Sequence, residues 1–295
     1  MTRYQKEIVI KNAFFTLSLL SIMVLGLIVI FLFREGLPIF REVSLRDFLF
    51  GREWYPTYDP PSYGIWPLIV ASLIVTFFSS LLAVPLGVLS AVYISEIAPP
   101  AIKEILKSII ELLAGLPSVV LGFFGMVTVA PWLQETFDLP TGLNIVNASA
   151  ILALMAVPTI SSISEDALYA VPQDFKEASY ALGATKFETI VRIIVPAALS
   201  GISTAVILGM ARAIGETMVV LMVAGGAAAI PESIFDSVRP MPASIAAEMG
   251  EAPFRSGHYH ALFATGIVLF FMTLAFNLIA DYIAQKFKEV GSATL

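Results

Sequence analysis

Six apolar stretches, at residues 13–33, 64–94, 105–130, 143–161, 190–223 and 261–284, constrain this chain more than any other feature. Each is close to or beyond the roughly 20 residues that a helix needs to cross the hydrocarbon of a bilayer. With 58% hydrophobic and 14% charged residues, the chain is too apolar for a soluble domain, where charge alone runs near ~25%. An all-α integral membrane protein with six transmembrane helices follows, because in lipid the backbone must satisfy its own hydrogen bonds. The first stretch follows a short basic leader at residues 1–11 and spans a full bilayer without a small-residue cleavage site, so it is expected to be retained. Pro85, and the run Gly115, Pro117, Gly122 and Gly125, are expected to kink or interrupt the second and third spans. Pro158 is placed where the fourth leaves the membrane for a loop holding Glu165 and Asp166.

Six spans put both termini on one side, and basic residues identify that side. Lys6, Lys11, Lys103, Lys107, Lys176, Lys186, Lys286 and Lys288 all fall at the ends or in the two loops facing them. The opposite loops carry Arg34, Arg41, Arg46, Arg52, Arg239 and Arg255, balanced or exceeded by acids. A multi-pass protein of the cytoplasmic membrane with both termini cytoplasmic is the expectation. The outer loop 34–63, rich in Trp, Tyr and Pro, is expected to lie at the interface as a partly ordered cap. It serves either as an aromatic belt or as a docking face for a delivery protein. Residues 286–289 read as a membrane-edge anchor ahead of a frayed tail.

One segment cannot sit in lipid. Residues 174–196 place Asp174, Lys176, Glu177, Lys186, Glu188 and Arg192 among helically spaced Phe175, Ala178, Ala181, Leu182 and Phe187. This describes a short amphipathic helix, a break at Gly183 and a second helix starting. Its small side chains suit another protein's groove closing over it.

Arg212 is the one strongly basic residue well inside a span, and Glu216 follows one turn later. In a continuous helix these side chains lie about 40° apart and can pair. An arginine there costs ~2.5–3.5 kcal/mol by insertion scales, so it should face a partner or a wet cavity. Its planar fork matches a tetrahedral oxyanion, and Gly209, Ala211, Ala213 and Gly215 leave room for one. Glu216 can hold Arg212 between substrates and can accept a hydrogen bond from the protonated oxygen that phosphate carries and sulfate lacks. Thr217 offers a hydroxyl or bonds its own backbone. Ser118, after Pro117, offers a hydroxyl toward the pathway or marks only a kink.

Other chemistry is excluded or weak. There is no cysteine, no G-x-x-x-x-G-K-[ST] phosphate loop for ATP, and no H-E-x-x-H spacing around His258 and His260, which read as interfacial and not as metal ligands. Ser161, Ser162 and Ser164 lie near Glu165 and Asp166 without a histidine on their side, which argues against a serine hydrolase. The net charge of -6 is scattered, and nucleic acid is not an expected partner.

Two motifs carry a family resemblance. Glu177-Ala178-Ser179, then Gly183, Ile193 and Val195-Pro196, resembles the E-A-A-x3-G-x9-I-x-L-P coupling loop of ABC-importer permeases, with Ser179 for Ala and Val195 for Leu. Arg212-Ala-Ile-Gly-Glu-Thr-Met218 resembles the R-A-x-G-E-T-M signature of permeases of phosphate ABC importers. Tyr63-Gly-Ile-Trp-Pro-Leu-Ile69, Ala83-Val-Pro-Leu-Gly87, Tyr93-Ile-Ser-Glu96 and Gly115-Leu-Pro-Ser-Val-Val-Leu-Gly-Phe-Phe-Gly125 match the same group. The outer loop between the first two spans favours the C-type of the two paired phosphate permeases. The resemblance implies the type I ABC importer permease architecture with a cytoplasmic coupling helix, made of a first helix with its outer loop (1–63) and a core of five helices (64–295). It also implies a second phosphate permease, two copies of an ATPase subunit that binds the ATP and Mg, and an extracytoplasmic phosphate-binding protein. No cofactor or enzymatic site is expected in this chain. Glu177 and Ala178 become ATPase contacts, Gly183 a hinge, and Pro196 the point where motion enters the span. The rival readings are an importer of sulfate, molybdate or phosphonate, an ATP-independent secondary anion transporter, and a non-transport scaffold.

Overall fold

The structure, a computed structural model, describes residues 3–292. The tail beyond Ser292, and the side chains of Lys6, Lys286, Lys288 and Glu289 on which the sequence-based orientation and anchor draw, lie outside the described residues. The chain is built almost wholly of helices: α1 (Arg3–Gly36), α2 (Leu45–Phe50), α3 (Trp66–Val92), α4 (Pro100–Gly115), α5 (Ser118–Phe124), α6 (Ala130–Phe137), α7 (Ile145–Tyr169), α8 (Gln173–Ala181), α9 (Lys186–Thr189), α10 (Val195–Ala197), α11 (Leu199–Ile214), α12 (Met218–Val223), α13 (Met241–Glu248) and α14 (Gly257–Ser292). Five helices, or unions of them, are long and apolar enough to cross a membrane, and the bent pair Lys186–Ala197 and Leu199–Ile214 makes a sixth.

The centre is a three-helix packing of α3, α7 and α11, with α14 on its flank and α1 against α14. Small residues let the backbones close. A Cβ on Gly87 of α3 would lie 2.7 Å from Ile160 Cγ2, and one on Gly209 of α11 would lie 2.6 Å from Ile160 Cγ1. Ile160 of α7 is therefore held from two sides and cannot retreat from one without meeting the other. Gly209→Val is expected to destabilise by about 1–3 kcal/mol through overpacking. A thermal unfolding scan in detergent should show the lower midpoint, and an unchanged midpoint would contradict this packing.

Four spans differ from the sequence-based expectation, the fifth by a bend and a break that shape the site below. The third breaks at Leu116–Pro117: α4 buries none of its residues, and the crossing segment is Ser118–Phe137, shifted toward the C-terminus. Proline supplies the break, since Pro117 stands in extended geometry as the N-cap of α5. The fourth span runs on past Pro158 to Tyr169, so Glu165 and Asp166 lie on a helix and not in a loop. Glu165 tolerates its burial because Lys103 and Lys107 of α4 approach its carboxylate at 3.4 and 3.5 Å. The second span stays helical through Pro85 and ends in a π-turn at Tyr93–Ile97.

The loop 34–63 is a folded cap, not a loose interfacial segment. A 3-10 turn (Leu37–Arg41), α2 and a two-stranded hairpin, β1 (Trp54–Tyr55) with β2 (Ser62–Tyr63), pack against Met241, Ala261 and Leu262. Trp54 and Tyr63 are buried and so cannot serve as a belt, whereas Tyr55 and Tyr58 are exposed and stack at 4.9 Å. The Glu248 carboxylate locks the cap to the last loop. It accepts from Trp54 Nε1 at 3.0 Å, Ser244 Oγ at 2.9 Å and Arg239 Nη1 at 2.6 Å, and it meets His258 Nε2 at 2.8 Å. His260 Nδ1 lies 2.6 Å from the Glu35 carbonyl, which can only accept, so that nitrogen carries the proton.

Candidate functional site

Two regions carry the residues singled out from the sequence. The first lies within the bundle. The fifth span breaks at residues 215–217 and restarts as α12, which packs beside α5. Gly215 lowers helix propensity, and Glu216, just before the N-cap position Thr217, satisfies a first-turn amide of the next helix: its Oε1 accepts from the Val219 amide at 3.3 Å. The Glu216 amide bonds the Ala213 carbonyl at 3.3 Å, a tightened last turn. The expected Arg212–Glu216 pair required a continuous helix, and among the described residues no ion pair joins them. Arg212 Nη1 instead reaches Thr159 Oγ1 of α7, a long contact at 3.5 Å.

Thr159 is near the middle of α7, which places the guanidinium well inside the membrane-spanning body. Arg212 is exposed on the isolated chain, and with Glu216 it borders a crevice too tight to admit a water molecule, whose other walls are Leu152, Met155, Ala156 and Ala213. Among the described residues no carboxylate pairs with it, and a charge at that depth calls for a partner or a wet surrounding. Thr217 points its hydroxyl back to the Gly215 carbonyl at 3.3 Å, the bland alternative for that residue. Ser118 heads α5, half-buried, and is not among the residues lining the Arg212 cleft. Thr159 was missed from the sequence; nothing marks a threonine as the neighbour of an arginine 53 positions away.

The second region is the predicted coupling stretch. α8 carries Glu177 and Ala178, and Gly183 then turns the chain with φ 84°, a left-handed geometry that favours glycine. A capping box starts α9: Thr185 Oγ1 accepts from the Glu188 amide while the Glu188 carboxylate accepts from the Thr185 amide at 2.9 Å. Leu182 is 91% exposed and Phe187 73%, and Leu182 borders a hollow walled also by Phe175, Ala184, Arg192 and Ile193. Beyond it a π-turn (Ile190–Ile194) leads into α10, and the chain bends by 69° to α11. Pro196 lies just before the bend. Having no N–H for the Arg192 carbonyl, it interrupts the ladder there.

Two attachments hold α8 that the sequence did not disclose. Ser179, which stands where the motif has alanine, meets Thr189 at 2.8 Å, oxygen to oxygen, and both are buried. Thr189 donates to the Thr185 carbonyl at 3.0 Å, so Ser179 is the donor to Thr189. Lys176 Nζ reaches both oxygens of Glu96 in the π-turn that ends α3, at 2.8 and 3.0 Å. Because Thr189 both donates and accepts, Thr189→Val should cost more, about 1–3 kcal/mol with Ser179 left unpaired, than Ser179→Ala at about 0.5–1.5 kcal/mol. Unfolding midpoints of the two variants check that order, and equal losses would refute it.

Comparison with known proteins agrees with this arrangement. Residues 83–289 match the family described as binding-protein-dependent transport system inner membrane component. A probable ABC transporter permease protein, YqgH of Bacillus subtilis (strain 168), is 41% identical over 263 residues, covering 88% of this chain and 85% of that protein. The phosphate transport system permease protein PstC of Mesorhizobium japonicum is 31% identical over 288 residues, covering 91% and 87%. Among solved structures, a bacterial alginate ABC transporter in complex with an alginate pentasaccharide-bound periplasmic protein superposes with a TM-score of 0.66 at 16% identity, covering 97% of this chain and 98% of that one. The inward-facing MetNI methionine ABC transporter gives 0.57 at 21% identity, covering 76% and 94%. The fold is thus that of an ABC transporter permease, and this chain belongs to the binding-protein-dependent transport system inner membrane components, the membrane-spanning permease subunits of ABC importers.

Proposed function

We propose that this permease forms one half of the pathway of an ATP-driven importer of inorganic phosphate. The observation that carries the reading is the Arg212 guanidinium, on an open face level with the middle of α7 beside the break at 215–217, with no carboxylate paired to it among the described residues. Its fork offers two parallel donors to a tetrahedral oxyanion. Glu216 uses one oxygen on the Val219 amide, and among the described residues nothing occupies the other. That oxygen suits the proton of a hydrogen phosphate and repels fully deprotonated sulfate. The name of the Mesorhizobium relative supports phosphate, whereas that of the Bacillus relative specifies no substrate.

The open face at Arg212 suits a second, related permease. The exposed 174–188 stretch suits two ATPase copies, one for each permease, that bind ATP and Mg themselves; the folded outer cap suits an extracytoplasmic phosphate-binding protein. Both termini and α8 are then cytoplasmic. ATPase closure pushes on Glu177 and Ala178, Gly183 flexes, the segment 190–197 tilts at the bend beside Pro196, and Arg212 is exposed alternately to either side. Competition of labelled-phosphate uptake by sulfate, molybdate and a phosphonate tests the substrate. Phosphate alone should compete at equimolar concentration, and equal competition by another oxyanion would reassign the importer to it.

A further inference from the structure

We infer that the Lys176–Glu96 ion pair is a second transmission joint, by which the coupling helix α8 drives α3 as well as the fifth span. The inference rests on the coupling reading of α8 under Proposed function and adds a second route to it. An exposed ion pair would carry nothing of the kind, being worth little and easily parted. This one is mostly buried, with side-chain exposures of 16% for Lys176 and 9% for Glu96. Lys176 contacts both carboxylate oxygens, and Ser95 Oγ adds a third bond to the same group at 3.1 Å. Separating two such groups leaves uncompensated charge in a poorly solvated place, so α8 and the end of α3 move together.

What α3 then moves is given by the packing. From the Tyr93–Ile97 turn the helix runs back to Gly87, which presses on Ile160 of α7, and Gly209 of α11 presses on the same side chain from the other side. Thr159, adjacent to Ile160, holds Arg212. A shift of α3 therefore reaches α7 and α11 through close-packed groups, and these two helices carry Thr159 and Arg212. The fifth span has its own joint through Ser179 and Thr189. Both spans meet α8 at π-turns, Tyr93–Ile97 and Ile190–Ile194, which are adjustable points in otherwise regular helices. Two joints on one helix convert a push into a rotation of one span against the other, where a single joint would only tilt the fifth.

The test uses the reconstituted complex with its ATPase, reading phosphate transported per ATP hydrolysed, ATPase stoichiometry and unfolding midpoint. Glu96→Lys and Lys176→Glu should each lower transport per ATP by at least about fivefold with the ATPase still bound, and the double exchange should restore most of it. Glu96→Gln, close in shape, should show the same loss if a reversed charge disturbs folding. The inference is overturned if the single variants keep the wild-type ratio, if they shed the ATPase, or if the exchange recovers the midpoint but not the ratio. Glu177→Ala separates the underlying reading: a wild-type ratio there would sink the coupling role of α8 itself, whatever the charge exchange shows.

Discussion

Arg212→Gln is expected to reduce ATP-driven phosphate uptake at least about thirtyfold, the cost of removing one partner of a desolvated charge pair at ~2 kcal/mol or more. The fold should survive the change. Arg212 is exposed on its own chain, and its one hydrogen bond among the described residues is the long contact to Thr159. The complex should therefore assemble and hydrolyse ATP while carrying no anion. Arg212→Lys should retain a fraction of activity, because an ammonium keeps the charge but loses the fork. Glu216→Gln separates structure from selectivity: its amide oxygen can still accept from the Val219 amide, so the start of α12 holds. Its loss of negative charge should narrow the preference for phosphate over sulfate, read as a competition ratio. Uptake by Arg212→Gln at the wild-type rate would refute the site.

Exchange of residues 174–188 for a Gly/Ser linker of equal length should abolish ATPase association. Leu182 and Phe187 stand out from the surface as large apolar side chains that are mostly uncovered. Anchors of that kind contribute ~2 kcal/mol or more each at interfaces, so losing them should weaken binding at least about thirtyfold. Co-purification and an affinity titration read the loss. Retained association at wild-type affinity would show that the ATPase docks elsewhere.

The sequence makes some parts of this architecture legible and hides others for physical reasons. Hydropathy finds the five crossing helices and the bent pair, the third displaced, because lipid imposes a single requirement on every span. The amphipathic run ending at Gly183 reads correctly because helix, left-handed glycine and capping box are set within a few residues. Errors arise where local and distant forces compete. Apolar residues 105–115 look like part of a crossing, yet Pro117 detaches them as α4. Glu165 looks like a loop residue until Lys103 and Lys107, 62 and 58 positions away, neutralise it. The Arg212–Glu216 spacing implies a pair, but Gly215 and the start of α12 end the helix between them. The partners Thr159, Thr189 and Glu96 become visible only once the helices are packed, since each contact depends on register between separate elements.

The most direct measurement is labelled-phosphate uptake by vesicles containing the purified complex, with ATP supplied or withheld on the ATPase side. Uptake that requires ATP, and that ends in Arg212→Gln while hydrolysis continues, is the predicted result. Phosphate entering at the same rate without ATP would contradict the account, because the coupling stretch and the mid-span guanidinium would then have no common task.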